Sequence, residues 1–559
     1  MAFTDTSQVV HNESEQNQPS TMTKLSRWQT VLLHLRKHTG VGMVCAVAYF
    51  DPGNWGVDLE AGSSYGYRLL FVVLLAGLFA VLFQTMASRM GCVTGLDLAS
   101  HCRLLLHSRP RHTLLYRWGL LYPLYLVSEI AIIATDLAEL LGSAIALCLL
   151  FPRLELWHGV LITAFDVIFL LALGDPLRGR PLRVFEWGIA GMVLAVFICM
   201  CIIVSRVDVQ WGPVFQGYLP SKYIIPNGAL YVSVGIIGAT VMPHSLFLGS
   251  ALATQDRVST KHHNAFASAI SSTNSSNSSL SDKTSPDTSP HTMKQRLFSA
   301  LESALSAFRT PPPSTFATRV NRHCDRENNS LRFVEAHVYH GVVDVAASLL
   351  GFAVVINSLI LILAGGVFFY GTEEPTEGKS PAGLFDAYDL IRDLVGQGAA
   401  TLFAIALLAA GQSSSIIATV AGQAVSEGFL QWRVSPVVRR LLTRLLAVIP
   451  SMVVAIAVGR RGIDTLLVLS QVVLSIVLPF ITLPLIYVTS SRKLMGVRAE
   501  RGTSEVDAEA GAETRDFSNG WVTTILACAI WLLVSIANVY VLTTVKEEVE
   551  GSTSGGGGH

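Results

Sequence analysis

AYFDPGNWGVD (48–58) interrupts the first long apolar run of the chain with a proline, two glycines and two acids. The run covers roughly 40–62, enough for a membrane-crossing helix, which takes about 20 residues. Pro52 removes a backbone donor and clashes with the carbonyl four residues back, and Gly53 loosens what remains. Asp51 lies at a depth where an ionised side chain costs at least ~2.5 kcal/mol. Bilayers accept unwound backbone only where it is buried in protein or lines a watery cavity. A second stretch, GIIGATVMPHS (235–245), repeats the device with Pro243 and the ionisable His244. Either proline alone reads as readily as a kink between packed helices. Together they occupy corresponding places in two five-span halves, the pattern of an inverted-repeat transporter with its site near the midplane.

Composition sets the class around these breaks. The chain has 559 residues, 51% hydrophobic and 14% charged, with a mean hydropathy of +0.48. Soluble domains carry roughly 25% charged residues, so this chain reads as all-α and polytopic in a membrane. The formal net charge is zero, which argues against a nucleic-acid partner. The eight cysteines show no paired CxxC spacing, so neither a disulfide framework nor a zinc site is expected. The first ~38 residues are polar and lack a signal-peptide core, so the first membrane segment is expected to act as the insertion signal.

Apolar runs at roughly 40–62, 69–88, 118–148, 157–174, 184–205, 228–254, 337–369, 398–427, 440–458, 464–489 and 520–543 predict about eleven transmembrane helices. Spans one to five (40–206) form the first repeat and spans six to ten (228–490) the second, with an eleventh span at 520–543. A cytosolic N-terminus, carrying Lys24, Arg27, Arg36 and Lys37, agrees with the positive-inside rule. Basic loops such as Arg103 to Arg117 and Ser491 to Arg501 then also lie inside, and the acidic loop from Gly371 to Asp393 outside; only Arg460-Arg461 dissents. Residues 1–39 read as a disordered tail and 544–559 as a flexible end. The Ser/Thr/Pro-rich stretch 256–334 reads as a disordered cytosolic loop open to cytosolic regulators. Its N-x-S sequons at Asn274, Asn277 and Asn328 would therefore stay unglycosylated.

The two breaks carry metal-ligand chemistry. Asp51 offers a carboxylate, Asn54 an amide oxygen and Met242 a thioether, and Pro243 frees a nearby carbonyl, that of Ala239. Oxygen ligands alone suit magnesium and calcium as well as manganese, whereas the soft thioether favours transition metals. A methionine in a membrane helix is usually core filling; its place beside the break makes it a candidate ligand. On the third span, Glu129, Asp136 and Glu139 share one helical face by their spacing. Acids on one stripe inside a membrane seek cationic partners, and Arg439, Arg440 and Arg444 open the ninth span. A static buried ion pair is the alternative for this stripe, and a core histidine for His244. Asn357 and Gln412 read as helix-packing polar residues, and Asp166 as a paired acid in the fourth span.

DPGN on the first span with ATVMPH on the sixth resembles the natural-resistance-associated macrophage protein (Nramp) family of divalent metal transporters, in a eukaryotic, fungal-like form. The resemblance runs from about residue 40 to 545 outside the Ser-rich loop. It includes EIAIIATDLAELLGSAIAL (129–147), GQSSSIIATVAGQAVSEGF (411–429), RRLLTRLLAVIP (439–450) and LSQVVLSIVLPF (469–480). One departure is Ser245, where the family usually has asparagine. The resemblance implies a LeuT-like fold of 5+5 inverted repeats with broken helices 1 and 6. It implies proton-coupled transport of Mn²⁺ or Fe²⁺, with Cd²⁺, Co²⁺ and Zn²⁺ as further cargo, and no tightly bound cofactor. Carried over, Asp51, Asn54, Met242 and the Ala239 carbonyl are metal ligands, with the Ala48 carbonyl and Gln471 as secondary ones. The acids of the third span and the arginines of the ninth form the proton route, with His244 near its head. Either a plasma membrane or an endosomal or vacuolar membrane fits transport toward the cytosol.

Two other readings use the same scaffold. A LeuT-fold amino-acid carrier would also break helices 1 and 6, but an Asp in the break repels a substrate carboxylate. A non-transporting membrane metal sensor or receptor would need a soluble output domain, and the longest polar stretch is low-complexity. An enzyme is not expected, since GxSxG, HExxH and P-loop motifs are all missing from the sequence.

Overall fold

The computed structural model describes residues 40–164, 183–225, 227–257, 322–323, 326–371, 382–431, 436–457, 459–498 and 514–555. The broken first helix is α1 (Val41–Val47) followed by α2 (Pro52–Tyr65). Then come α3 (Leu70–Thr94), α4 (Leu98–Leu106), α5 (Tyr122–Leu150), α6 (Leu156–Ala164) and α7 (Arg183–Val204). The second broken helix is α8 (Asn227–Thr240) and α9 (Pro243–Leu252). It is followed by α10 (Leu331–Ser348), α11 (Val354–Ala364), α12 (Leu384–Leu394), α13 (Gln397–Leu430), α14 (Pro436–Ala457), α15 (Arg460–Ser490) and α16 (Trp521–Gly555). A two-stranded antiparallel ribbon, β1 (Gly496–Arg498) with β2 (Thr514–Asp516), lies between the last two helices.

Eight helical stretches among the described residues are long and apolar enough to cross a membrane. The three other expected spans have physical reasons for falling short. The first is divided by its break, the fourth is described only as far as Ala164, and the ninth holds only the shorter apolar stretch Leu442–Ala457. At the centre stands α5, packed by α13, α15, α14, α6 and α2. The half-helices lie around it: α8 packs on α15 and α2, α9 on α3 and α13, and α11 on α2. Small residues permit these close approaches. Gly142 on α5 and Gly411 on α13 leave no room for a Cβ, because Pro52 and Ser143 fill the space.

Three expected boundaries are corrected. The loop expected at 256–334 ends earlier, for residues 326–330 are fastened to the body and α10 begins at Leu331 rather than 337. Arg326 Nη2 donates to the Thr94 and Gly95 carbonyls at 2.8 and 3.0 Å, and Ser330 caps α10. Asn328 is engaged in packing, since its Nδ2 donates to Leu494 O (2.8 Å) and Gly496 O (2.7 Å). The end expected to be flexible at 544–559 continues as helical backbone to Gly555; its Lys546, Glu547, Glu548 and Glu550 are good helix formers. In the acidic loop, α12 lays Leu384, Phe385, Tyr388 and Ile391 against the body, and Asp386 bonds back to Gly383 N. Glu373, Glu374 and Glu377, the tail 1–39, the loop between 258 and 321 with Asn274 and Asn277, and Asp166 lie outside the described residues.

Candidate cation site between two helix breaks

Asp51 ends the first break by capping α2, with Pro52 in the first helical position, where a missing N–H costs nothing. Its Oδ1 accepts the Asn54 backbone N–H at 2.9 Å and Asn54 Nδ2 at 2.7 Å. Asn54 Nδ2 also donates to Ala239 O at 3.0 Å, which joins the two breaks across 185 residues of sequence. Ala239 lies four residues before Pro243, so the proline's missing N–H is what leaves that carbonyl available. Met242 caps α9 without a side-chain cap bond and is fully buried. Ala48 caps the C-terminal end of α1, and its carbonyl accepts no hydrogen bond among the described residues. Gln471, on α15, presses its amide against Gly53, where no Cβ would fit.

The polar balance of this cluster is lopsided. Asp51 Oδ2, Gln471 Oε1 and Asn357 Oδ1 are buried and accept no hydrogen bond among the described residues. Buried polar groups are nearly always satisfied, so several orphaned acceptors call for a donor or an ion. Orphaned oxygens beside the C-terminal ends of two half-helices, α1 and α8, make surroundings fit for a cation. The thioether of Met242 adds the one soft atom.

Asn357, read from sequence as a packing residue, touches this cluster. Its Nδ2 donates to Tyr49 O at 2.7 Å and to Asn54 Oδ1 at 3.2 Å. A second group missed in the sequence links α1, α3 and α9: Tyr49 Oη donates to Gln84 Oε1 (3.0 Å), and Gln84 Nε2 donates to Ser245 O (3.3 Å) and Cys45 Sγ (3.2 Å). An isolated Gln in an apolar helix gives no sequence sign of its partners.

The third-span acids separate by environment. Glu139 is fully buried on α5 and its Oε1 accepts Ser414 Oγ, on α13, at 2.5 Å. Asp136 is 3.7 Å from Arg444 of α14, and Arg444 Nη2 also donates to Thr163 O at 3.1 Å. Glu129, by contrast, is only half-buried. His244 contacts Thr135 Oγ1 through Nδ1 at 3.3 Å, one residue before Asp136, while its Nε2 has no partner among the described residues. The structure thus brings His244, Asp136, Glu139 and Arg444 to neighbouring turns. The side chains of Arg439 and Arg440 lie outside the described residues; the arginine seen beside the acids is Arg444, about one turn further in.

Helices broken opposite one another around a buried polar cluster define a LeuT-like membrane protein. The solved structure of MhsT with L-phenylalanine shares this fold at a TM-score of 0.50 and 13% identity, covering 91% of this chain and 98% of that one. The family model "Natural resistance-associated macrophage protein-like" matches residues 42–277 and 318–508. The chain belongs to the Nramp family. It is 39% identical over 509 residues to the manganese transporter pdt1 of Schizosaccharomyces pombe, covering 90% of this chain and 84% of that protein. Against the iron transporter SMF3 of Saccharomyces cerevisiae it is 35% identical over 533 residues, covering 92% and 97%. The crystal structure of an Eremococcus coleocola manganese transporter, in complex with an aromatic bis-isothiourea substituted compound, matches at a TM-score of 0.63 and 27% identity, covering 92% and 87%.

Proposed function

We propose that the chain is a secondary transporter that carries Mn²⁺, Fe²⁺ and similar divalent transition-metal ions toward the cytosol by alternating access, coupled to protons. The observation that carries this reading is the buried Asp51 Oδ2, which has no hydrogen-bond partner among the described residues and is held between two helix breaks with Asn54, Ala239 O and Met242 around it. In this reading a metal sheds water onto Asp51, Asn54, the Ala239 carbonyl and Met242. Gln471 Oε1 and the Ala48 carbonyl, both without donors among the described residues, are the reserve ligands. The N-terminus is placed in the cytosol by the charge of the loops. Mn²⁺ uptake into proteoliposomes of the purified chain is the direct test; no uptake above protein-free vesicles would overturn the reading.

Protons move along a separate set of groups on α5 and α9. Glu139 and His244 are buried and each keeps an atom without a hydrogen bond among the described residues, the condition for accepting or passing a proton, and Asp136 lies buried beside them against Arg444. Arg444 supplies the positive charge that holds Asp136, and Arg439 and Arg440 remain part of the proposed route. Glu139→Gln and Asp136→Asn should each cut metal-driven proton flux by about 100-fold, the lower end of what a positioned proton-transfer group contributes. Mn²⁺ binding should change far less. A pH dye inside the vesicles and calorimetry with Mn²⁺ separate the two effects, and unchanged proton flux in both variants would make the stripe structural.

The segment between α9 and α10 is proposed as a regulatory loop outside the transport cycle. Replacing 258–321 with a short Gly/Ser linker should leave Mn²⁺ uptake within about twofold of the parent, since long loops close at little entropic cost. Extending the deletion through 329 removes the fastenings made by Arg326, Asn328 and Asn329. That variant should melt several degrees lower in a thermal-shift assay.

A further inference from the structure

Away from the helix breaks, a cavity of about 830 Å³ opens where the chain leading into α10 meets the end of α15 and the β-ribbon. Its charged lining is Arg326, Arg492, Lys493 and Arg498 against one acid, Glu327. We propose that this cavity binds a polyanionic phosphate ligand, of the chemistry shared by phosphoinositide headgroups and soluble inositol phosphates.

The cavity is built rather than incidental. Arg326 is held at its floor by the Thr94 and Gly95 carbonyls through Nη2, while its Nε and Nη1 make no bond among the described residues. Gly95 supplies the left-handed turn (φ +63°) that brings both carbonyls to one guanidinium. Asn328 ties the same segment to Leu494 and Gly496, and Asn329 Nδ2 ties it to Cys92 O at 2.8 Å. His101 Nδ1 meets His323 Nε2 at 2.9 Å, and His101 Nε2 meets Thr94 Oγ1 at 2.8 Å, which closes the remaining wall. Burial, with Arg326 and Arg109 nearby, pushes His323 down to about 4. The histidine wall is therefore neutral at neutral pH, and the cavity's charge is that of three arginines and one lysine less that of Glu327.

Two of the cations have acid partners, but exposed ones. Arg498 lies 3.1 Å from Glu327 with side chains 73% and 84% exposed, and Arg492 lies 3.3 Å from Asp516 at 87% and 43%. Such pairs hold weakly, and a ligand carrying several charges at fixed spacing displaces them. Arginine forks match phosphate oxygens in pairs. The volume falls within the range of roughly 300–1,000 Å³ typical of small-molecule sites, and is ample for more than one phosphate. Arg492 and Lys493 follow Ser490, the last residue of α15, and Ser330 immediately precedes α10. The cavity therefore sits at the ends of membrane helices, on the cytosolic side in the orientation proposed above. Basic pockets in that position suit phosphorylated lipid heads.

Binding is read on the full chain in detergent, without metal, by thermal shift and calorimetry with three probes. They are short-chain phosphatidylinositol bisphosphate, inositol trisphosphate and inorganic phosphate. The two inositol compounds, or the lipid alone, should bind well ahead of inorganic phosphate. R492A/K493A should weaken that binding by about 30-fold, from the loss of two charge contacts. R392A, which removes an exposed arginine elsewhere, should leave it unchanged. Mn²⁺ uptake by R492A/K493A in phosphatidylcholine vesicles should match the parent, so failure of the site and failure of the transport reading are read separately. Equal affinity for lipid and inositol trisphosphate identifies a soluble ligand, and binding of the lipid alone a bilayer one. The proposal is overturned if R492A/K493A binds like the parent, if R392A loses as much, or if inorganic phosphate binds as tightly as the inositol compounds.

Discussion

Asp51→Ala should reduce Mn²⁺ uptake in proteoliposomes to that of protein-free vesicles, a loss of at least about 100-fold. Even groups outside a metal's ligand shell are commonly worth about 10–100-fold in affinity, and Asp51 is the carboxylate that caps the half-helix at the break. The fold should survive. Alanine loses the bonds from Asn54 and with them a helix cap, a cost of about 1 kcal/mol. It also relieves a buried oxygen without a donor, which offsets part of that cost. Expression and melting temperature should stay near the parent. Calorimetry that gave parental Mn²⁺ affinity for Asp51→Ala would remove the carboxylate from the site.

Met242→Ala should retain Mn²⁺ transport while admitting Ca²⁺ or Mg²⁺ that the parent excludes. A carboxylate, an amide oxygen and one or two carbonyls form a hard shell that alkaline-earth ions can satisfy. Sulfur adds little for those ions and holds a place where they would take another oxygen, whereas softer ions tolerate it. Truncation leaves room for a water and restores an all-oxygen shell. Cd²⁺, the softest candidate, should lose at least tenfold in affinity, equivalent to about 1.4 kcal/mol. A competition assay with Ca²⁺ and Cd²⁺ reads both changes. If Met242→Ala still rejects Ca²⁺ and binds Cd²⁺ like the parent, the side chain is core filling.

The breaks were legible because proline acts through its own covalent structure: whatever packs against Pro52 and Pro243, their missing N–H groups end one helix and start another. The bond from Asn54 to Ala239 O follows from the same cause, since the freed carbonyl is fixed by the position of Pro243. Partners set by helix rotation were not legible. Arg439, Arg440 and Arg444 carry the same charge in the sequence, and only the packing of α14 on α5 brings Arg444 to Asp136. Ser414 beside Glu139, and Asn357 beside Asn54, depend on contacts between spans far apart in the chain. The C-terminal end of the loop before α10 was misplaced because polar composition also describes a segment pinned by side-chain bonds to carbonyls.

One amide has a kinetic consequence. Asn54 turns its nitrogen toward Asp51 Oδ1 and Ala239 O, and its oxygen toward Asn357 Nδ2. If, as proposed, a metal ion binds those two oxygens, it meets an N–H pair first, and loading would require the carboxamide to rotate. Rotation carries its oxygen away from Asn357, whose Nδ2 also holds Tyr49 O at the unwound end of α1. Under that proposal the arrival of an ion would be registered at the backbone of the first break through two side chains, Asn54 and Asn357.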